Sequence, residues 1–419
     1  MKHTEHNAFL NEALETLNRI YNENKHLTQL RWFWETALQR FNKDYLNSRK
    51  PQVIVLGGDI PTEVLYAVCD DPFYVIGGSL GTAHWADELT PRDTDPFSRS
   101  SLGWLINPAF DLTENALIVT AVSSDSRRKM ISVLQNNGRK VAALDIPPTR
   151  SANAAYYYTE QLTELAEKIG MHTGKRFTGG NLKHAVKRIA NMRYQRQRFL
   201  TTALSSGSVI SDEALLLANQ CMYFTDDIDD WAFHINALVN ELEQLSRRYA
   251  FPTNDKPNVM ILGSPVVFPN FKVPQLIASA GMGISAVADS LSSEASVAAP
   301  EMRAFVSADS LLQVIAQAHL KTIASGARVS NEGLYAYFRH IVRQLHPDGI
   351  VCHILKGQIE YDFELPHIEK AAEDFDIPIF RLETDYQYQD MEQLRIRMEA
   401  FCEMLTQRKI VSNKKRRTA

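Results

Sequence analysis

An α/β protein built on two open, mainly parallel sheets with helices on both faces is the fold class that the sequence predicts. Three observations predict it. Short runs that are apolar throughout, Val53–Leu56, Tyr74–Ile76, Leu117–Val119 and Val141–Leu144, alternate with longer helical stretches, and continuous apolar runs mark strands buried on both faces. The same alternation returns at Val259–Gly263, Ile284–Val287, Gly349–Leu355 and Pro378–Leu382. Between the two sets, from about Ser151 to Pro257, the β-like runs disappear and mixed-charge helical stretches take over.

In chain order, residues 1–49 form an N-terminal helical segment. Leu10, Leu14, Leu17, Ile20 and Tyr21, then Leu27, Leu30, Trp34, Leu38 and Phe41, recur at helical spacing. Pro51 ends that regime and opens a first α/β lobe over 50–150. A helical connector over 151–256 follows, with its longest stretches at Leu182–Leu200 and Trp231–Tyr249. Residues 257–411 form the second lobe, and 412–419, with Lys414-Lys415-Arg416-Arg417, a basic tail expected to be disordered because it has nothing apolar to dock.

A chain of 419 residues exceeds a single ordinary core. Its 45% hydrophobic and 22% charged content is that of a folded globular protein. A formal charge of −4 supplies no drive toward nucleic acid or an anionic membrane, so neither is expected as a partner. No run reaches the roughly 20 apolar residues of a membrane span, and the charged start does not read as a signal peptide, which gives a cytoplasmic expectation. The four cysteines, Cys69, Cys221, Cys352 and Cys402, include no C-x-x-C pair, so no local metal site is expected.

Ligands of open parallel sheets sit beyond the carboxyl ends of the strands. The residues there are Ser123-Ser124-Asp125, Ser264-Pro265, Lys356-Gly357-Gln358 and Glu383-Thr384-Asp385-Tyr386. Helix capping is an equal explanation for Ser124, Asp125, Ser264 and Asp385. Gly170–Arg176 is one residue short of a phosphate loop and ends in Arg where Ser or Thr should hold magnesium. Gly77-Gly78-Ser79-Leu80-Gly81 reads as a turn, and Asp226–Asp230 as the acidic start of a helix.

Several stretches carry a family likeness. Ile261–Pro265 with Pro269-Asn270, Asp348–Val351 through Leu355-Lys356, Ile377–Ile379, Glu383–Tyr386 and Gln393–Phe401, and more loosely Val119–Lys129 with Leu144–Pro147, resemble the 2-hydroxyacyl-CoA dehydratase / benzoyl-CoA reductase family. The resemblance implies two flavodoxin-like, Rossmann-like lobes and acyl-CoA chemistry. In that chemistry one electron from an ATP-dependent activator makes a ketyl radical. It also implies a [4Fe-4S] cluster on cysteines, yet the corresponding positions fall at Ser100 or Ser101, Ser124, and Gly357 or Gln358, none of them the soft thiolate such clusters require.

Three functions follow. The first is a subunit of a lyase or acyl-CoA reductase that has no cluster itself and pairs, as a heterodimer, with a cluster-bearing paralogue. The second is an acyl-CoA-binding enzyme with redox-independent chemistry, and the third a non-catalytic binding or regulatory protein. The substrate-binding candidates are Ser124, Ser264, Lys356, Glu383 and Asp385, no residue is assigned as catalytic, and no cofactor is expected in this chain.

Overall fold

The structure is a computed structural model and describes residues 2–91, 93–107, 112, 114–205, 209–249, 256–289, 291–292, 297, 307–322, 328–329 and 331–418. Three helices lead: α1 (Lys2–Glu23), α2 (Leu30–Arg40) and α3 (Lys43–Ser48). The buried stripe of α1 is Phe9, Ala13, Leu17 and Ile20, while Leu14 and Tyr21 face solvent. Sequence periodicity alone places Leu14 and Tyr21 in the apolar face. The stripe turns because Phe9 packs tilted against Phe41 and edge-on against Trp104, with ring centroids 5.0 Å from each. That aromatic cluster fastens α1 and α2 to the first lobe.

The first sheet contains β1 (Val53–Leu56), β2 (Phe73–Val75), β3 (Leu117–Val122) and β4 (Lys140–Asp145) in the order β2-β1-β3-β4, all parallel. All four β1 residues are buried, whereas β4, at the edge, alternates. The interior strand is apolar throughout because helices cover both of its faces. Its helices are α4 (Thr62–Val68), α5 (Leu80–Ala83), α6 (Pro96–Ile106) and α7 (Asp125–Asn136).

Every element described in the connector is helical: α8 (Ala152–Thr173), α9 (Gly179–Ser205), α10 (Asp212–Gln220), a short 3-10 turn, and α11 (Ile228–Arg248). Gly174, at φ +76°, is the left-handed C-cap of α8. Its neighbour Lys175 pairs with Asp70 at 2.5 Å, which gives this glycine–lysine step a structural role. The acidic run starts α11: Asp227 caps it, and Asp227 and Asp229 bind Arg188 at 2.8 and 2.7 Å.

The second sheet repeats the first. β5 (Asn258–Gly263), β6 (Gly283–Asp289), β7 (Gly349–Leu355) and β8 (Ile379–Thr384) run parallel in the order β6-β5-β7-β8. Both sheets therefore have the 2-1-3-4 order of flavodoxin-like folds. The second set of helices is α12 (Lys272–Ser279), α13 (Ala308–Thr322), α14 (Glu332–Leu345), α15 (Glu360–Glu373) and α16 (Met391–Thr418). α13 returns to pack on α8 and α9, and its buried His319 binds Glu63 of α4 at 3.0 Å. Burial alone would raise the Glu63 carboxyl, but Arg193 and His319 outweigh it and hold the group well below the usual carboxylate range. α16 continues to Thr418, so the stretch expected as a disordered tail is helical through that residue. The side chains from 412 on, including Lys414–Arg417, and residue 419 lie outside the described residues.

Candidate functional site at the lobe junction

The carboxyl ends of the central strands point toward the junction of the lobes. β1 delivers Gly57-Gly58-Asp59, β3 delivers Ser123-Ser124, β5 delivers Ser264-Pro265 and β7 delivers Lys356-Gly357-Gln358. Ser124 caps α7 by accepting from the Arg127 N–H at 3.2 Å, and the Ser123 hydroxyl donates to Asp59 at 2.9 Å. One turn into α7, Arg127 folds back under the strand ends. Its Nη1 donates to the Leu56 carbonyl at 2.9 Å, and its guanidinium lies 5.3 Å from the Phe97 ring. Gly57, at φ +87°, leaves room for it, since a Cβ there would sit 2.9 Å from Nη2. Burial lowers the pKa of Arg127, and Asp59 and Asp95 oppose that shift.

From the second lobe, Ser264 donates to Gln358 Oε1 at 2.6 Å and accepts from the Leu355 N–H at 2.8 Å. Its hydroxyl proton is therefore committed to Gln358, and the residue is buried. His353 is pushed down to about 4 by burial, so it is neutral, and its Nδ1 donates to the Ser264 carbonyl at 3.0 Å. Gln358 Nε2 then crosses to the first lobe and donates to Asp95, the N-cap of α6, at 3.2 Å. The cavity left between Ser98, Ser123, Ser124 and Arg127 on one side and Pro265, Gln358 and Tyr361 on the other is about 40 Å³. That is room for a few waters. Glu360 at its rim is raised by burial and by Asp95 and Asp125.

The lobes meet through backbone at two glycines. Asn270 N–H donates to the Gly78 carbonyl at 3.1 Å, and a Cβ on Gly78 would lie 2.7 Å from the Phe268 carbonyl oxygen. Gly357, at φ +89°, packs so closely that a Cβ would lie 2.4 Å from the Asp93 carbonyl oxygen. Glu12 of α1 completes the clasp, accepting from Ser79 at 2.7 Å and from Asn270 at 3.2 Å. The glycine-rich stretch at 77–81, read from the sequence as a turn, is an irregular segment over 77–79 followed by the start of α5 at Leu80, and the close approach of Phe268 supplies the reason for Gly78.

The remaining site residues named from the sequence form a second group at the β7–β8 end. Lys356 pairs with Asp385 at 2.8 Å, and Glu383 binds Arg381 at 2.9 Å. Hydrogen bonding to Asp385 raises Lys356. Burial is the largest single influence on Asp385 and opposes its ionisation, but the hydrogen bonds from Lys356 and the Gln387 N–H, with the charges of Lys356 and Lys272, together outweigh it and leave the carboxyl lowered. Beneath them Lys272, missed by sequence reasoning, is buried. Its ammonium donates to Thr384 at 2.6 Å and to the Asp385 carbonyl at 3.2 Å, and it pairs with Asp390. Of the five candidates, Ser124 lines the junction cavity, Ser264 supports Gln358 there, and Lys356, Glu383 and Asp385 stand apart.

The residues at the junction do not fit an iron–sulfur cluster. Ser100 accepts from the Gly78 and Ser79 N–H groups at 3.1 and 3.0 Å, and Ser101 accepts from Gly77 at 2.9 Å. Both are wholly buried in holding the 77–79 segment that leads into α5. Ser124 caps a helix, and Gly357 and Gln358 join the lobes. Cys352 lies within β7, where burial pushes its thiol up to about 12. Cys221 is buried against the Phe33 carbonyl, Cys69 ends α4, and Cys402 lies in α16. Among the described residues, no group of three His, Cys, Asp or Glu side chains is arranged to hold a metal ion. Oxygen donors beside a buried guanidinium are not a soft-ligand set.

Two lobes of flavodoxin-like topology, joined by a helical connector and facing each other across their strand ends, define a class of two-lobed α/β proteins. Within that class the chain belongs to the 2-hydroxyglutaryl-CoA dehydratase, D-component family, whose model matches residues 58–405. No curated protein matches the chain. The resemblance seen in the sequence is thereby sustained, and the match runs from the first strand-end loop through the first half of α16. Among the described residues, no helix is long and apolar enough to cross a membrane.

Proposed function

We propose that this chain is the member without a cluster in a pair of related subunits, and that it shapes an acyl-CoA pocket shared with a cluster-bearing paralogue. An ATP-dependent activator would supply the electron, and the reaction class is dehydration of a 2-hydroxyacyl-CoA or a related acyl-CoA reduction. The observation that carries the reading is the conjunction of a family match over residues 58–405 with a junction whose donors are hydroxyls, an amide and Arg127. Ser124, Ser264, Lys356, Glu383 and Asp385 remain the proposed contacts at the strand ends, with Lys356 and Asp385 the accessible pair. A non-catalytic binding role is the second reading, favoured by the small volume of the junction.

Anaerobic co-expression with a cysteine-bearing family member tests the proposal. The expected result is a stable heterodimer whose iron belongs to the partner and which, with the activator, dehydrates a 2-hydroxyacyl-CoA. A partner that is equally active without this chain would overturn the shared-pocket reading. A complex that binds acyl-CoA without turnover would favour the binding role.

A further inference from the structure

A cavity far larger than the junction's lies away from it. It encloses about 640 Å³ between α9, α10, α14 and the edge strand β6, with Leu200, Leu215, Ile284, Val287 and Ile341 among its walls. Its size and largely apolar lining are those of a small-molecule site. It narrows to a neck of about 10 Å³ that shares Leu216, Asn219 and Val287 with it and ends at Leu291. The side chain of Leu291 rests on Gly58, where a Cβ would be 2.5 Å from its Cδ1, and the Tyr223 hydroxyl holds its carbonyl at 3.1 Å. The residue after Gly58, Asp59, already lines the junction cavity. Outer cavity, neck and Leu291 therefore adjoin in turn, and Gly58 with Asp59 carries this line of neighbours to the edge of the junction cavity.

That line matters because the direct way in is shut. Gly357 on Asp93 and Gln358 on Asp95 close the lobes over their strand ends. Among the described residues β6 pairs only with β5, so the outward backbone groups of its other edge face the cavity wall, where the first, the Ile284 N–H, is taken by Asp212 at 3.0 Å. A sheet edge flanked by apolar walls suits an extended chain that carries amides and methyl groups. The pantetheine arm of coenzyme A is such a chain.

We propose that the pantetheine arm of an acyl-CoA enters along the outer edge of β6 and that Leu291, seated on Gly58, is the gate between this channel and the lobe junction. The inference rests on the acyl-CoA reading above and adds the route. Gly58 is glycine because the gate needs the space of a Cβ, and Tyr223 fixes the gate's backbone.

The test uses butyryl-CoA and the full chain, with its partner if the two purify together. Ala286→Cys in a Cys402→Ser background places a thiol on the cavity wall, and butyryl-CoA is expected to shield it from N-ethylmaleimide. Ile341→Trp and Ala286→Trp, one from α14 and one from β6, are each expected to weaken butyryl-CoA binding by at least about tenfold, read by calorimetry on variants with native melting curves. Binding by wild type, together with alkylation of the Ala286→Cys variant that butyryl-CoA does not slow, overturns the route and leaves the acyl-CoA reading standing. Unchanged affinity in both tryptophan variants does the same. Absence of butyryl-CoA binding by the wild-type chain and by its complex overturns the acyl-CoA reading, and the route with it.

Discussion

Replacing Gly357 by alanine isolates what holds the two lobes together. Two costs add at this position. The backbone sits at φ +89°, where an L side chain costs about 1–2 kcal/mol. The new methyl would also lie 2.4 Å from the Asp93 carbonyl oxygen and 3.2 Å from the Asp95 nitrogen, so the Asp93–Asp95 backbone must retreat. Such overpacking costs about 1–3 kcal/mol. The retreat also strains the Gln358–Asp95 hydrogen bond. Gly138→Ala is the matched control, since Gly138 has φ +74° but nothing within 4 Å of its Cβ position. Thermal unfolding of the two variants therefore separates backbone strain from the lobe contact. Gly357→Ala is expected to be the less stable by about 1–3 kcal/mol. Equal melting points for the two would refute the claim that Gly357 is glycine because the first lobe touches it.

Three further outcomes follow from buried charge. Arg127→Met should destabilise the first lobe by about 2–3 kcal/mol, because the Leu56 carbonyl loses a charged donor beneath the strand ends; denaturant unfolding reads it. Glu63→Gln should cost about 3–5 kcal/mol, since Arg193 loses its carboxylate inside the core, and the measurement is the shift in urea midpoint. Asp212 is pushed up to about 6 by burial, so its folded value lies above its unfolded value near 3.8. Ionising it opposes folding, so its contribution weakens stability as pH rises from about 4 through 6. Asp212→Asn should flatten the stability–pH curve in that window, and an unchanged slope would remove Asp212 as its source.

The sheets were legible because interior strands are apolar on both faces. Val53–Leu56 and Gly349–Leu355 stand in the structure with the bounds their sequence runs suggest. Edge strands were caught less fully: β8 runs two residues past Leu382 to Thr384, through alternating exposure. Periodicity misplaced Leu14 and Tyr21 because the face of α1 is chosen by Phe41 and Trp104, which are distant in sequence. The same holds at the site. Ser124 announces itself as a helix start after a strand, whereas Arg127 and Lys272 are single charges whose burial depends on Gly57 and on the 384–390 loop. The glycines at 78 and 357 answer to the opposite lobe, and no local pattern carries that information. α13 likewise returns to the connector through His319, a contact invisible to a linear division of the chain.

Iron stoichiometry tests the central claim most directly. The chain, purified alone without oxygen and reconstituted with iron and sulfide, is predicted to retain well under one iron per molecule, because its strand-end positions offer Ser124, Gly357 and Gln358 and its cysteines are dispersed. About four irons per chain, with the visible absorption of a cluster that disappears in Cys352→Ala, would contradict the account and make this chain a cluster-bearing subunit.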